Sequence, residues 1–111
     1  MESTRLKKVS SMIQKEMSII FQQKAGLFFN KMISVTVVRV APDLSSAKIY
    51  LSIFPDNEKD KVFEEVKNSK SMLRGELGNR IKNRIRKIPD LQFYIDDSLD
   101  YAENIEKLLG K

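Results

Sequence analysis

The chain has 111 residues, a net charge of +5 and 41% hydrophobic residues, which fits one domain with one modest core. It has no cysteine and no histidine, so disulfides, thiolate or zinc sites and Ser-His or Cys-His catalysis are excluded. The N-terminus lacks the apolar core of a signal peptide, and no apolar run approaches the ~20 residues a membrane span needs, so a cytoplasmic protein with no membrane contact is expected.

Residues 4–22 predict an amphipathic helix. Leu6, Val9, Ile13, Met17 and Ile20 follow spacings of three and four, and Ser3 or Thr4 can cap its start. Arg5, Lys7 and Lys8 lie near that start, where cations oppose the helix dipole. They hint at an outside partner or are a tolerated surface accident. Residues 23–31 form a connection around Gly26, with Leu27, Phe28 and Phe29 capping the core. A first strand is expected over Met32–Val40, rich in β-branched residues. Residues 41–46 are a turn built on Pro42, Asp43 and Ser45. A second strand runs over Ala47–Phe54 with alternating core and wetter positions, so the two strands should pair as an antiparallel hairpin.

A helix with acids in its first turns begins at Glu58. Phe63 and Val66 start its apolar stripe, but the next position on that face holds Ser69 and Lys70. The stripe resumes at Leu73 and continues through Leu77, Ile81, Ile85 and Ile88. Two tandem helices are therefore expected, about 58–69 and 71–86, with a kink at Ser69, Lys70 and Ser71. Pro89 stops the second, because proline disfavours helix at the residue before it. Leu91, Phe93 and Ile95 alternate with polar or mixed residues as a short third strand. Asp96-Asp97-Ser98 then caps a final helix; residues 99–111 are expected as a C-terminal helix or a mobile tail of the single domain 1–111.

The strongest chemical signal is residues 67–87, which carry eight cations and one acid, Glu76, for +7. Everything else sums to −2. Lys70, Arg74, Arg80, Lys82, Arg84, Arg86 and Lys87 are candidates for phosphate contacts, with Arg5, Lys7 and Lys8 as a second contact. Arg84 projects into the apolar arc, so either it snorkels out or the helix has frayed by then. The bland alternative is a solvated face. No Phe, Tyr or Trp lies between residues 64 and 92, so base stacking is not expected in this segment. Gly75-Glu76-Leu77-Gly78 matches the G-x-x-G of KH domains, but an acid and a stripe residue at its centre favour two glycines inside a helix. Asp96, Asp97 and Asp100 suggest a magnesium site less well than they suggest helix N-caps. No metal and no cofactor are expected.

The element order, αββααβ, is that of a type II KH domain, an α+β fold. Ser3-Thr4-Arg5 leading into Ile13-Gln14-Lys15-Glu16 belongs to a set of stretches that, in combination, resembles the ribosome-binding factor A family. The others are Val35-Thr36-Val37-Val38, Pro42-Asp43-Leu44-Ser45, residues 47–52, Ile88-Pro89-Asp90-Leu91-Gln92-Phe93 and Asp96-Asp97-Ser98. The resemblance covers nearly the whole chain. It implies a three-stranded sheet with helices on one face and a kinked helix pair in place of the G-x-x-G loop. The family's kink marker, Ala-x-Gly, is Ser69-Lys70-Ser71 here. It further implies a non-catalytic, monomeric RNA-binding factor that engages the immature 30S small ribosomal subunit and its 16S rRNA and assists late maturation and processing. The rival reading is a protein-interaction module of the same fold, docking a partner by a sheet edge or the acidic C-terminal segment.

Overall fold

The structure is a computed structural model that describes residues 4–55 and 57–96. Helix α1 spans Thr4–Gln23 and buries Ile13, Met17, Ile20 and Phe21 along one face. A short 3-10 turn, Ala25–Phe28, follows. Of the three apolar residues expected to cap the core, only Phe28 does so, edge-on to Phe21 with ring centres 5.6 Å apart. Leu27 and Phe29 are 52% and 41% exposed. The chain leaves the turn through two left-handed residues, Phe29 and Asn30, and that reversal swings neighbouring side chains to opposite sides.

Strands β1 (Met32–Val40) and β2 (Ser46–Phe54) pair antiparallel as expected. Their connection is a tight turn in which the Leu44 N–H donates to the Ala41 carbonyl. Pro42 and Asp43 occupy the turn centre, and Leu44 takes a left-handed conformation at φ 63° that aims its side chain into the core. The register slips between Val35 and Val37, so Thr36 is a bulge residue on the edge strand. Gln14 of α1 donates its amide to the carbonyl of Val35 at 3.0 Å. The edge of β1 is therefore partly covered by α1, which blunts its capacity to template another strand.

Helices α2 (Lys59–Asn68) and α3 (Lys70–Ile81) are separated by Ser69 alone. The Ser69 N–H is shared between the carbonyls of Glu65 and Val66, at 3.0 and 3.1 Å, the tightening that ends one helix as the next begins. The kink thus falls where the apolar stripe lapses. Gly75 and Gly78 lie within α3, so residues 75–78 are helix and not a clamping loop. Strand β3 (Asp90–Ile95) returns to pair parallel with β2, making the sheet order β1-β2-β3. Leu73, Leu77 and Ile81 of α3 join α1 on one face of that sheet, and the buried positions of all three strands point toward them. This is the α+β, KH-like arrangement expected of the order αββααβ.

One boundary differs. The second tandem helix was expected to reach residue 86, but α3 ends at Ile81 and residues 82–84 form a turn in which the Arg84 N–H donates to the Ile81 carbonyl. Continuing the helix would carry Arg84 into the core. The turn frees it, and Ile85 and Ile88 pack on the core from an irregular segment instead. The final helix expected after Ser98 lies outside the described residues.

Leu77 separates a helix from a loop experimentally. It is fully buried, so Leu77→Ala is expected to cost roughly 2–5 kcal/mol by urea denaturation, as large-to-small core changes do. A loss within experimental error of zero would mean that residues 75–78 are a solvent-facing loop.

Candidate nucleic-acid interface

Helices α1 and α3 run antiparallel along their contact. Lys24 meets Glu76 at 3.7 Å near one end. Nearer the other, Glu16 takes the Arg80 Nε–H at 2.6 Å and an Arg84 Nη2–H at 3.1 Å, one carboxylate oxygen for each. Glu16 sits in the apolar stripe of α1 and is 9% exposed. Hydrogen bonds from Arg80, then from Arg84, outweigh its burial and hold its carboxyl below the ordinary value of 4.5. The Arg84 that projected into the apolar arc is therefore explained: it leaves the helix and turns back onto α1.

The antiparallel packing points the start of α1 toward the end at which α3 finishes. Arg5, Lys7 and Lys8 stand on the first two turns of α1, on the far side of Glu16 from Lys24. All three are exposed and have no hydrogen-bond or ion-pair partner among the described residues.

The seven candidates of residues 70–87 divide into two groups. Four have partners. Lys70 lies 3.7 Å from Asp90. Arg74 donates from Nε to the Pro89 carbonyl at 3.0 Å and from Nη2 to the Ile88 carbonyl at 2.6 Å, tying α3 to the start of β3. Arg80 and Arg84 hold Glu16. Lys82 and Arg86 are exposed and unpaired among the described residues. Lys87 is exposed and lies close enough to Asp43 to favour its ionised form. The Asp43 carboxyl is held below its ordinary range chiefly by the Ser45 hydroxyl at 2.7 Å and the Ser45 N–H at 3.0 Å, with Lys87 a lesser cause.

Lys82 and Lys87, with the carbonyl-bonded Arg74, border an open hollow. Arg74, Gly75, Gly78, Asn79, Lys82, Lys87 and Ile88 line a depression of about 440 Å³. Gly75 and Gly78 are three apart on α3 and face this side. A Cβ on Gly75 would meet nothing within 4 Å, and one on Gly78 only the Ile88 side chain at 3.6 Å. The helix backbone is thus bare at Gly75, while the Ile88 side chain covers Gly78, and cations stand at the rim. An extended phosphate chain can approach such a surface closely, and charge there is felt as counterion release.

Sequence reasoning missed the Glu16 clamp, although its signal was present. An acid at position 16, within the stripe 13, 17 and 20, and an arginine at position 84, within the stripe of α3, are complementary misfits. For the magnesium alternative, no three acidic residues come together among the described residues; Asp97 and Asp100 lie outside them. No helix among the described residues is long and apolar enough to cross a membrane.

Comparison with known proteins agrees along the whole chain. The family model described as ribosome-binding factor A matches residues 5–109. Ribosome-binding factor A of Cytophaga hutchinsonii is 46% identical over 112 residues, covering 100% of this chain and 84% of that one. In fold, the chain is similar to the crystal structure of ribosome-binding factor A from Thermus thermophilus, with TM-score 0.68, 20% identity, and coverage of 81% of this chain and 94% of that one. It is also similar to Thermus thermophilus coordinates fitted into a cryo-EM map of a complex of the 30S subunit with ribosome-binding factor A. There the TM-score is 0.63 at 20% identity, covering 79% of this chain and 91% of that one.

The clamp has a pH signature. Because folding lowers the pKa of Glu16, its contribution is complete above 4.5 and fades as pH falls through the depressed folded value. Glu16→Gln should therefore lower stability at pH 7 by roughly 1–2 kcal/mol, the half-exposed arginines limiting the effect. Denaturant melts across pH should show that gap constant from neutrality to about pH 5 and closing in more acid solution. A gap that persists unchanged to about pH 2 would contradict the clamp.

Proposed function

The chain belongs to the ribosome-binding factor A family, and from that premise we propose that it is a non-catalytic assembly factor of the bacterial cytoplasm. It binds the free, immature 30S subunit as a monomeric KH-like domain spanning residues 1–111. There it contacts 16S rRNA, assists late maturation and processing, and departs before translation. The observation that carries the contact is the cationic rim that Lys82 and Lys87 form on the hollow beside Gly75 and Gly78, with Arg86 exposed in the same segment and Arg5, Lys7 and Lys8 exposed on the first turns of α1. Lys82 and Arg86, exposed and unpaired among the described residues, suit phosphates because no existing bond must break first, and Lys87 has only its attraction to Asp43 to give up.

The partnered arginines have a different part in this reading. Arg80 and Arg84 hold the two helices in register, and Arg74 holds the segment that carries Lys87. They shape the surface and leave the free cations to meet RNA. The lack of histidine and cysteine in the chain supports a binding role over a chemical one.

The test uses purified small subunits. Replacing Lys82, Arg86 and Lys87 together by Ala should leave the thermal melt near that of the parent chain. It should weaken subunit binding and lower the slope of log affinity against log salt by about 2–3 units, since each lost phosphate contact removes ~0.7–0.9. In lysate sedimentation the parent protein should travel with free small subunits and not with whole ribosomes. Unchanged affinity and slope in the triple variant, or migration only among light proteins, would overturn the reading.

A further inference from the structure

Among the described residues, all the helices lie on one face of the sheet and leave the other face open. Reading across the strands, its rows are Met32 beside Phe54, Ser34 beside Ser52, Val37 beside Tyr50 and Tyr94, and Arg39 beside Lys48 and Gln92. Tyr50 and Tyr94 stack, with ring centres 5.3 Å apart and planes 25° apart. Tyr94 is 40% exposed and stands on β3, at the edge of the sheet. Its hydroxyl donates to the Gln92 Oε1 at 3.3 Å, which leaves the Gln92 amide N–H groups free.

One step along the strands, ~6.6 Å away, Arg39 and Lys48 are direct cross-strand partners. Like charges directly opposite destabilise a sheet, and neither residue has a hydrogen-bond or ion-pair partner among the described residues. Two acids near this face are occupied among the described residues. Asp90 pairs with Lys70, and Asp96 accepts the Thr36 hydroxyl. A cation pair with no acid partner among the described residues, beside a two-ring aromatic stack, combines the two groups that bind unpaired nucleotides: π faces for bases and positive charge for phosphates. The basic helix surface lacks the first of these.

We propose that this open sheet face is a second RNA site, in which Tyr94 extends its stack with Tyr50 by one unpaired base while Arg39 and Lys48 hold the adjoining phosphates. A duplex does not fit this site, because its base faces are already covered by neighbouring pairs. The protein would then grip a folded RNA by α1 and α3 and an unpaired strand by the sheet.

The test is fluorescence anisotropy of the full chain with a labelled ten-nucleotide single-stranded RNA and a duplex of equal length. Tyr94→Ala should raise the Kd for the single strand about tenfold, within the range of one lost base stack, and leave duplex binding within about twofold. Tyr94→Phe, which keeps the ring, should bind like the parent chain; it also guards against misreading a folding defect, as does the melt of the Ala variant. Replacing Arg39 and Lys48 by Ala should weaken single-strand binding and flatten its salt slope. Titrating unlabelled single strand should quench tyrosine fluorescence, and the triple variant at Lys82, Arg86 and Lys87 should retain that quench. Undiminished single-strand binding by Tyr94→Ala overturns the proposal and leaves the helix surface as the only RNA site. So does a poly-glutamate peptide that binds as tightly and loses affinity with the same substitution, since the face would then be a protein-docking surface.

Discussion

Glu16 is a carboxylate placed where an apolar side chain would otherwise lie, and the α1–α3 seam is built around it. An acid so poorly exposed must be paired, and both pairing groups come from 64 and 68 residues downstream. One pair of bonds therefore fixes the relation of the first helix to the third. It also sets where α3 stops. Arg84 reaches Glu16 only once the chain has left the helix, so the turn at residues 82–84 and the clamp depend on each other. That turn in turn presents Lys82 and Arg86 to solvent. A poorly exposed carboxylate held by partly exposed arginines contributes little net stability over an apolar replacement. What it adds is geometry: it fixes which cations are consumed inside the molecule and which are left outside.

This division gives the charge pattern its meaning. A run with net +7 reads as one footprint, yet only part of it is available to a partner. Arg74, Arg80 and Arg84 hold α3 to β3 and to α1 with the planar, multi-donor head that lysine lacks. The free cations are mostly lysines on long stems, which suit adaptable contact with a phosphate chain. The bare helix floor at Gly75 fits the same role without any clamping loop. Aromatic residues, absent between residues 64 and 92, stand on the far face of the sheet as Tyr50 and Tyr94. The fold thus separates groups suited to backbone contact from groups suited to base contact, on two sides of one thin layer.

Most of the architecture was legible from periodicity. Alternation in Ala47–Phe54, β-branched density in Met32–Val40 and the stripe through Leu73, Leu77 and Ile81 each report burial directly, and burial is what those patterns encode. The kink was legible because the stripe lapses at Ser69. The end of α3 was not, because Ile85 and Ile88 keep the helical spacing while packing from a non-helical segment. The candidate surface was legible as composition but not as roles: a cation bonded to a carbonyl and a free one look alike in sequence. The Tyr50–Tyr94 stack was also beyond reach, since it depends on the parallel register of β2 with β3 across 44 residues. The expectation for residues 99–111 lies outside the described residues.

The most direct test of the central claim is a lysine-reactivity footprint, read by mass spectrometry, of the protein free and bound to purified 30S subunits. The account predicts that Lys7, Lys8, Lys82 and Lys87 become protected together on binding, while Lys61 and Lys67 of α2 stay reactive. Protection of the α2 lysines with Lys82 and Lys87 still reactive would contradict it, and would move the contact to the other end of the kinked helix pair.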